Sequence, residues 1–167
     1  MTAHRIMPTP PPTWASWEDI MAEALAEAAL ARNTGEIPVG AVVIDPVGAI
    51  IGRGRNSPIA AHDPTAHAEI MAIRQAALAL GNYRLTRCVL AVTLEPCLMC
   101  VGAMVHARIH GVVFGARDAR AGAVVSQMDG FELSMHNHRL WQAGGVMADA
   151  CAAVLRDFFA ARRAASQ

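Results

Sequence analysis

The chain has 167 residues, of which 54% are hydrophobic and 17% charged. That fits one compact domain and is too apolar for a disordered chain. Fourteen basic residues, all arginine, balance fourteen acidic ones, so any nucleic-acid contact has to come from a local arginine patch.

Residues 1–15 include Pro8, Pro10, Pro11 and Pro12. Proline at this density resists helix and sheet, so a disordered or extended leader is expected there, with a single domain over 16–167. The leader lacks the apolar core of a signal peptide, and no apolar run approaches the ~18–20 residues of a membrane span. A cytoplasmic protein with no membrane partner follows. Ser16-Trp17-Glu18-Asp19 resembles a capping box with Asp in place of Glu or Gln. It predicts a helix from about Trp17 to Arg32, stopped by Asn33-Thr34-Gly35. Two apolar runs, 39–45 and 49–56, flank Pro46-Val47-Gly48 and read as a β-hairpin.

Residues 57–65 form a loop ending in Asp63-Pro64-Thr65, a helix start. Residues 66–80 are helical in pattern, with Ile70, Ile73, Ala77 and Leu80 on one stripe, and Gly81-Asn82 ends them. A buried-type strand over 88–94 precedes a helix over 96–107, with Pro96 in its first turn. Then come a strand at 112–115, a loop at 116–127, a last strand near 140–142 and a terminal helix over 147–165. Leu155, Phe158 and Phe159 lie on that helix's apolar side. This order predicts a mixed sheet covered by helices on both faces.

Two motifs carry chemistry. His67-Ala68-Glu69 opens one helix, and Pro96-Cys97-Leu98-Met99-Cys100 opens another. Cysteines at i and i+3 share a helix face and can grip one ion. Zinc takes thiolate sulfur and imidazole nitrogen in a tetrahedron, and two Cys plus one His leave its fourth corner open, as catalytic sites do. Such an ion lowers the pKa of a bound water from 15.7 to about 7, and a carboxylate beside it can take the proton. Glu69 is therefore assigned to the proton and His67, Cys97 and Cys100 to the metal. A redox Cys-x-x-Cys would not need His67 or Glu69. A structural zinc site would need a fourth ligand, for which His106 and His110 are the candidates by sequence proximity. Cys88 and Cys151 sit in apolar runs and read as small buried hydrophobes. Disulfides are not expected in a chain without an export signal.

His-x-Glu followed by Pro-Cys-x-x-Cys is the signature of the zinc-dependent nucleobase deaminases. Residues 36–44 (EIPVGAVVI), 62–74 (HDPTAHAEIMAIR), 93–107 (TLEPCLMCVGAMVHA) and 112–118 (VVFGARD) resemble the bacterial tRNA-specific adenosine deaminases. So do Asn137-His138-Arg139 and Asp157-Phe158-Phe159. The resemblance implies a cytidine-deaminase-like three-layer α/β/α sandwich with a mixed five-stranded sheet, and a homodimer with each active site near the interface. It implies one Zn2+ per subunit on His67, Cys97 and Cys100, with Glu69 as general acid/base. It implies a tRNA anticodon stem-loop as substrate, deaminated at the wobble adenosine. Asn56 matches the asparagine that bonds the base, Asp118 lies in a loop beside the nucleotide, and Asn137 and His138 match residues near the anticodon loop. Phe158 or Phe159 helps frame the substrate. The alternatives are a deaminase of a free base or nucleoside of guanine or cytosine type, and an inactive zinc-bearing RNA-binding subunit.

Overall fold

In the computed structural model, which describes residues 7–165, five strands form one mixed sheet in the order β2-β1-β3-β4-β5. The strands are β1 (Gly40–Ile44), β2 (Ile50–Arg55), β3 (Val89–Leu94), β4 (Gly111–Ala116) and β5 (Trp141–Gly144). β1 runs antiparallel to both β2 and β3, while β3, β4 and β5 are parallel. The helices are α1 (Trp17–Asn33), the one-turn α2 (Pro58–Ala61), α3 (Ala68–Leu80), α4 (Leu98–His106) and α5 (Ala148–Ala165). The predicted hairpin, the central strands and the four long helices are all present.

Alternation along the strands separates two cores. Val43, Leu90, Val92, Val112 and Phe114 meet α3 and α4 on one face. Val42, Ile44, Ala91 and Val113 meet α1 and Cys151 of α5 on the other. This is the expected three-layer sandwich. β2 and β3 both run antiparallel to β1, so they point the same way. At its C-terminal end β3 leads directly, and β2 by way of the one-turn α2, to a longer helix, which brings the starts of α3 and α4 together at one end of the sheet.

Ile70, Ile73 and Ala77 of the expected α3 stripe lie in or against the core, but Leu80 does not, and three alanines take the closest approach to the sheet. The sheet face of α3 is Ala68, Ala72 and Ala76, while Leu80 is 46% and Leu78 83% exposed. The reason lies in β2. A Cβ at Gly54 would stand 2.1 Å from the Ala68 carbonyl oxygen, and one at Gly52 would stand 2.3 Å from that of Ala72. Glycine on the strand and alanine on the helix let the two backbones nearly touch, which larger side chains at either place would prevent. Ile73 and Ala77, packed against the core, also line an open groove with Met99 and Ala103 of α4.

Two other expectations change. Pro96 precedes α4 rather than opening it; Cys97 is the N-cap, with extended backbone at φ −78° and ψ 170°. The described part of the leader, residues 7–15, is not free. It has no helix or strand, yet the Trp17 indole donates to the Pro8 carbonyl at 2.7 Å and that of Trp14 donates to Gly48 at 2.8 Å. Partly buried indole N–H groups need acceptors, and the leader and the β1–β2 turn supply them. Residues 1–6 of the expected disordered segment lie outside the described residues. Ser16 caps α1 as expected, accepting from the Asp19 N–H at 3.1 Å.

The close approach of α3 makes a prediction. Gly54→Ala is expected to cost about 2–3 kcal/mol, because the new methyl group meets backbone atoms of α3 that cannot rotate away. The midpoint of urea unfolding measures this; an unchanged midpoint would mean that α3 has room to shift.

Candidate active site

His67 is the N-cap of α3, at φ −73° and ψ 153°, and Cys97 is the N-cap of α4. Both residues therefore stand just outside their helices, where side chains are freed from helical spacing. This resolves the difficulty that residues two apart on a helix point about 200° away from each other. His67 turns toward α4, and Glu69, two residues inside α3, is buried beside it at 4% exposure.

The Cys97 sulfur lies 3.6 Å from Nδ1 of His67, the Cys100 sulfur 3.7 Å from the same nitrogen, and the two sulfurs 3.7 Å from each other. Zinc–sulfur bonds of ~2.3 Å and zinc–nitrogen bonds of ~2.0–2.1 Å at tetrahedral angles require edges of about 3.8 Å and 3.6 Å. The triangle thus has the size and donor chemistry of three corners of a zinc tetrahedron. Among the described residues it is the one group of His, Cys, Asp and Glu side chains found with ligand atoms close enough to share an ion. His106 and His110 are not in it, so the structural-zinc alternative lacks its fourth ligand.

The electrostatics fit that arrangement. The hydrogen bond from the Cys100 thiol, opposed by burial and aided by His67, lowers the Cys97 pKa to about 4. Cys100 is raised, first because its proton is held on Cys97. The same sulfur of Cys97 raises His67 against the effect of burial. One anionic sulfur beside an imidazole is a ready cation ligand. Burial raises the Glu69 carboxyl to about 7, where a group can both take and return a proton near neutral pH.

The substrate residues expected from the sequence fall into three groups. Asn56 is at the site: its side-chain oxygen accepts the Ala68 N–H at 3.0 Å, between His67 and Glu69. Asp118 lies in the loop after β4, and its carboxylate accepts the N–H groups of Arg120 and Ala121 at 2.9 and 3.2 Å. It organises a turn. Asn137 and His138 are seated elsewhere, at the C-terminal end of α4. Arg108 donates to the Asn137 carbonyl and side-chain oxygens at 3.0 and 2.9 Å, and a His138 ring nitrogen meets the Ile109 carbonyl at 2.6 Å. Short polar side chains in this loop tie down the turn that follows α4, so they do not join the metal triangle. Phe158 is buried at 6% and Phe159 is 41% exposed, their rings edge to face at 5.4 Å. Adjacent helical positions diverge by about 100°, so only one can pack inward.

One residue was missed. Glu95, two residues before Cys97, is 2% exposed. Burial by itself raises its carboxyl, but hydrogen bonds from Ser126, Val125 and Asp118 outweigh that and hold it below its ordinary value. An acid closing an otherwise apolar strand was the available signal.

Comparison with known proteins agrees with this geometry. Residues 15–116 match the family described as the cytidine and deoxycytidylate deaminase zinc-binding region. The chain belongs to this deaminase family. It is 49% identical over 146 residues to the tRNA-specific adenosine deaminase of Haemophilus influenzae, covering 87% of this chain and 84% of that one. A solved structure from a study of A-to-I editing by tRNA:A34 deaminases superposes with a TM-score of 0.79 at 40% identity, covering 82% of this chain and 99% of that one. The guanine deaminase of Bacillus subtilis is less similar, at 34% identity and a TM-score of 0.58, over 84% of this chain and 93% of that one.

The four cysteines of this deaminase should differ in reactivity. Burial raises Cys88 and Cys151 to about 11, so both stay as thiols at neutral pH. In protein stripped of metal by a chelator, iodoacetamide is expected to label Cys97 first, with Cys88 and Cys151 roughly tenfold slower or more. Peptide mass spectrometry reads the order; equal labelling of the four would contradict the site's electrostatics.

Proposed function

We propose that the protein hydrolytically deaminates adenosine to inosine at the wobble position of a tRNA anticodon. The observation that carries this reading is the His67–Cys97–Cys100 triangle with the buried Glu69 carboxyl beside it. Its relatives named as tRNA-specific adenosine deaminases supply the substrate. His67, Cys97 and Cys100 hold one Zn2+ per subunit. When bound, the ion supplies an activated water for attack at C6 of the purine. Glu69 would take a proton from the attacking water and pass it to N1, then take the proton of the hydroxyl now on C6 and pass it to the amine nitrogen, which leaves as ammonia. The base reaches the site splayed out of the anticodon loop.

Asn56, fixed at the first turn of α3, bonds the base. Asp118 borders the nucleotide, and exposed Phe159 frames the RNA. Asn137 and His138 act at one remove, by shaping the surface after α4. A single deaminase domain follows the leader. The chain works as a homodimer in the cytoplasm, and the groove between α3 and α4 is the face that supports this. It has a volume of about 620 Å³, is lined by Ile70, Ile73, Tyr83, Met99 and Ala103, and leaves Tyr83 66% exposed. Among the described residues no helix is long and apolar enough to cross a membrane.

The likeness to guanine deaminase keeps a free-base substrate as the second reading. An anticodon stem-loop, free guanine and free cytosine, each assayed for ammonia release, separate the readings. Inosine formed in the stem-loop alone is expected. Turnover of guanine without stem-loop activity would favour the free base, and no ammonia from any of them would favour a non-catalytic subunit.

Two substitutions divide the site's labour. Glu69→Ala is expected to keep zinc and lower turnover by roughly 10²–10⁴-fold, the usual worth of a positioned acid/base. Cys97→Ala is expected to lose the metal and, with it, activity. Metal analysis beside the ammonia assay reads both; full activity in Glu69→Ala would remove the proton assignment.

A further inference from the structure

We propose that Glu95 is a positioning residue: its carboxylate ties the 117–127 loop to the start of α4 and so fixes how the RNA is presented to the metal site. This rests on the tRNA-deaminase reading.

The carboxylate collects donors from two separate stretches of the loop. One oxygen accepts the N–H groups of Val124, Val125 and Ser126 at 3.1, 2.7 and 2.8 Å. The other accepts the Asp118 N–H at 3.1 Å and, in a short contact, the Ser126 hydroxyl. The backbone reinforces the joint. The Glu95 N–H donates to the Ala116 carbonyl at 2.8 Å, and the Ala123 N–H donates to the Pro96 carbonyl at 2.8 Å. The loop closes tightly on the acid: a Cβ at Gly122 would stand 2.4 Å from the Glu95 carboxyl carbon.

No ion pair to Glu95 is found among the described residues. Backbone dipoles and one hydroxyl carry its charge. An apolar side chain could fill this space without the cost of desolvating an anion. It could not gather four N–H groups from both ends of an arc. The acid is thus suited to fastening that arc rather than to packing.

What the arc displays matters for an RNA. Arg117 and Arg120 are exposed on either side of Asp118, while Gly122, Ala123 and Val124 are buried. Leu94 and Ala116 pair across β3 and β4, so the arginines leave the sheet level with the strand end that leads to Cys97. In a chain of zero net charge, two exposed guanidinium groups on a tied-down backbone give phosphate contacts their place. Glu95 decides where that rim stands relative to the metal ligands.

The test is Glu95→Gln in the full-length, zinc-loaded protein. An amide NH2 replaces one acceptor, so it faces either the three donors of 124–126 or the pair from Asp118 and Ser126. Zinc content and circular dichroism are expected to stay as in the parent. Trypsin is expected to cleave after Arg117 and Arg120 faster than in the parent, while its other cleavages keep their rates. KM for an anticodon stem-loop is expected to rise roughly 10–100-fold, as for outer-shell substitutions, with a smaller change in kcat. Ser126→Ala, which removes one donor, is expected to shift the same readouts less.

If Glu95→Gln does not fold, Gly122→Ala strains the same joint from the loop side and is expected to give the same split. A folded, zinc-loaded Glu95→Gln protein with parental loop cleavage and parental KM would overturn the proposal. So would loss of zinc with parental loop cleavage, which would make Glu95 a support of the metal site alone. If the parent protein fails to deaminate the stem-loop, the functional reading falls, while the trypsin pattern still decides whether Glu95 holds the loop.

Discussion

Three side chains, His67 and a pair of cysteines thirty and thirty-three positions further along the chain, have to bring their donor atoms together. Most of the architecture serves that constraint. β2 and β3 share a direction because both pair antiparallel with β1, and β3 leads directly, β2 by way of the one-turn α2, to a helix whose N-cap is a residue of the triangle. Placing His67 and Cys97 at cap positions frees their side chains from the helical screw, so the two rows of residues can turn toward each other. Helix N-termini also favour the anionic sulfur that a dication needs.

The same constraint explains why small residues cover the α3 interface. A helix held at ordinary side-chain distance from β2 would carry His67 away from Cys97 and Cys100. Gly52 and Gly54 on the strand, with Ala68, Ala72 and Ala76 on the helix, bring the backbones together. The larger apolar residues of α3 then face the neighbouring groove. α1 approaches β1 in the same manner, where a Cβ at Gly40 would lie 2.0 Å from the Ala24 carbonyl. Alanine has a packing role at these two interfaces.

Two buried acids at the site end of the sheet follow opposite electrostatic courses. Glu69 has burial as its dominant influence and is pushed up to about 7, which suits a carrier of protons. Glu95 is as deeply buried but is surrounded by N–H donors and is held low, which suits a fixed anchor. Burial alone does not set the role of a carboxyl group; the donors around it do. Cys97, by contrast, is eased toward its anion by its neighbours, chiefly the Cys100 thiol.

Local sequence was enough for the four long helices, the hairpin, the central strands and the three residues whose donor atoms the structure brings together. Capping residues, periodicity and the Pro-Cys-x-x-Cys spacing are short-range signals that a chain carries along its own length. The destinations of Asn137 and His138, the held leader over 7–15, the buried face of α3 and the work of Glu95 were decided only in three dimensions. Each depends on a partner distant in the chain: Arg108 for Asn137, Pro8 for the Trp17 indole, Gly54 for Ala68, and Asp118 with Val124–Ser126 for Glu95. A polar side chain, a glycine or an indole can be satisfied by many partners. Which one it meets is settled when the sheet and its crossovers bring distant segments together.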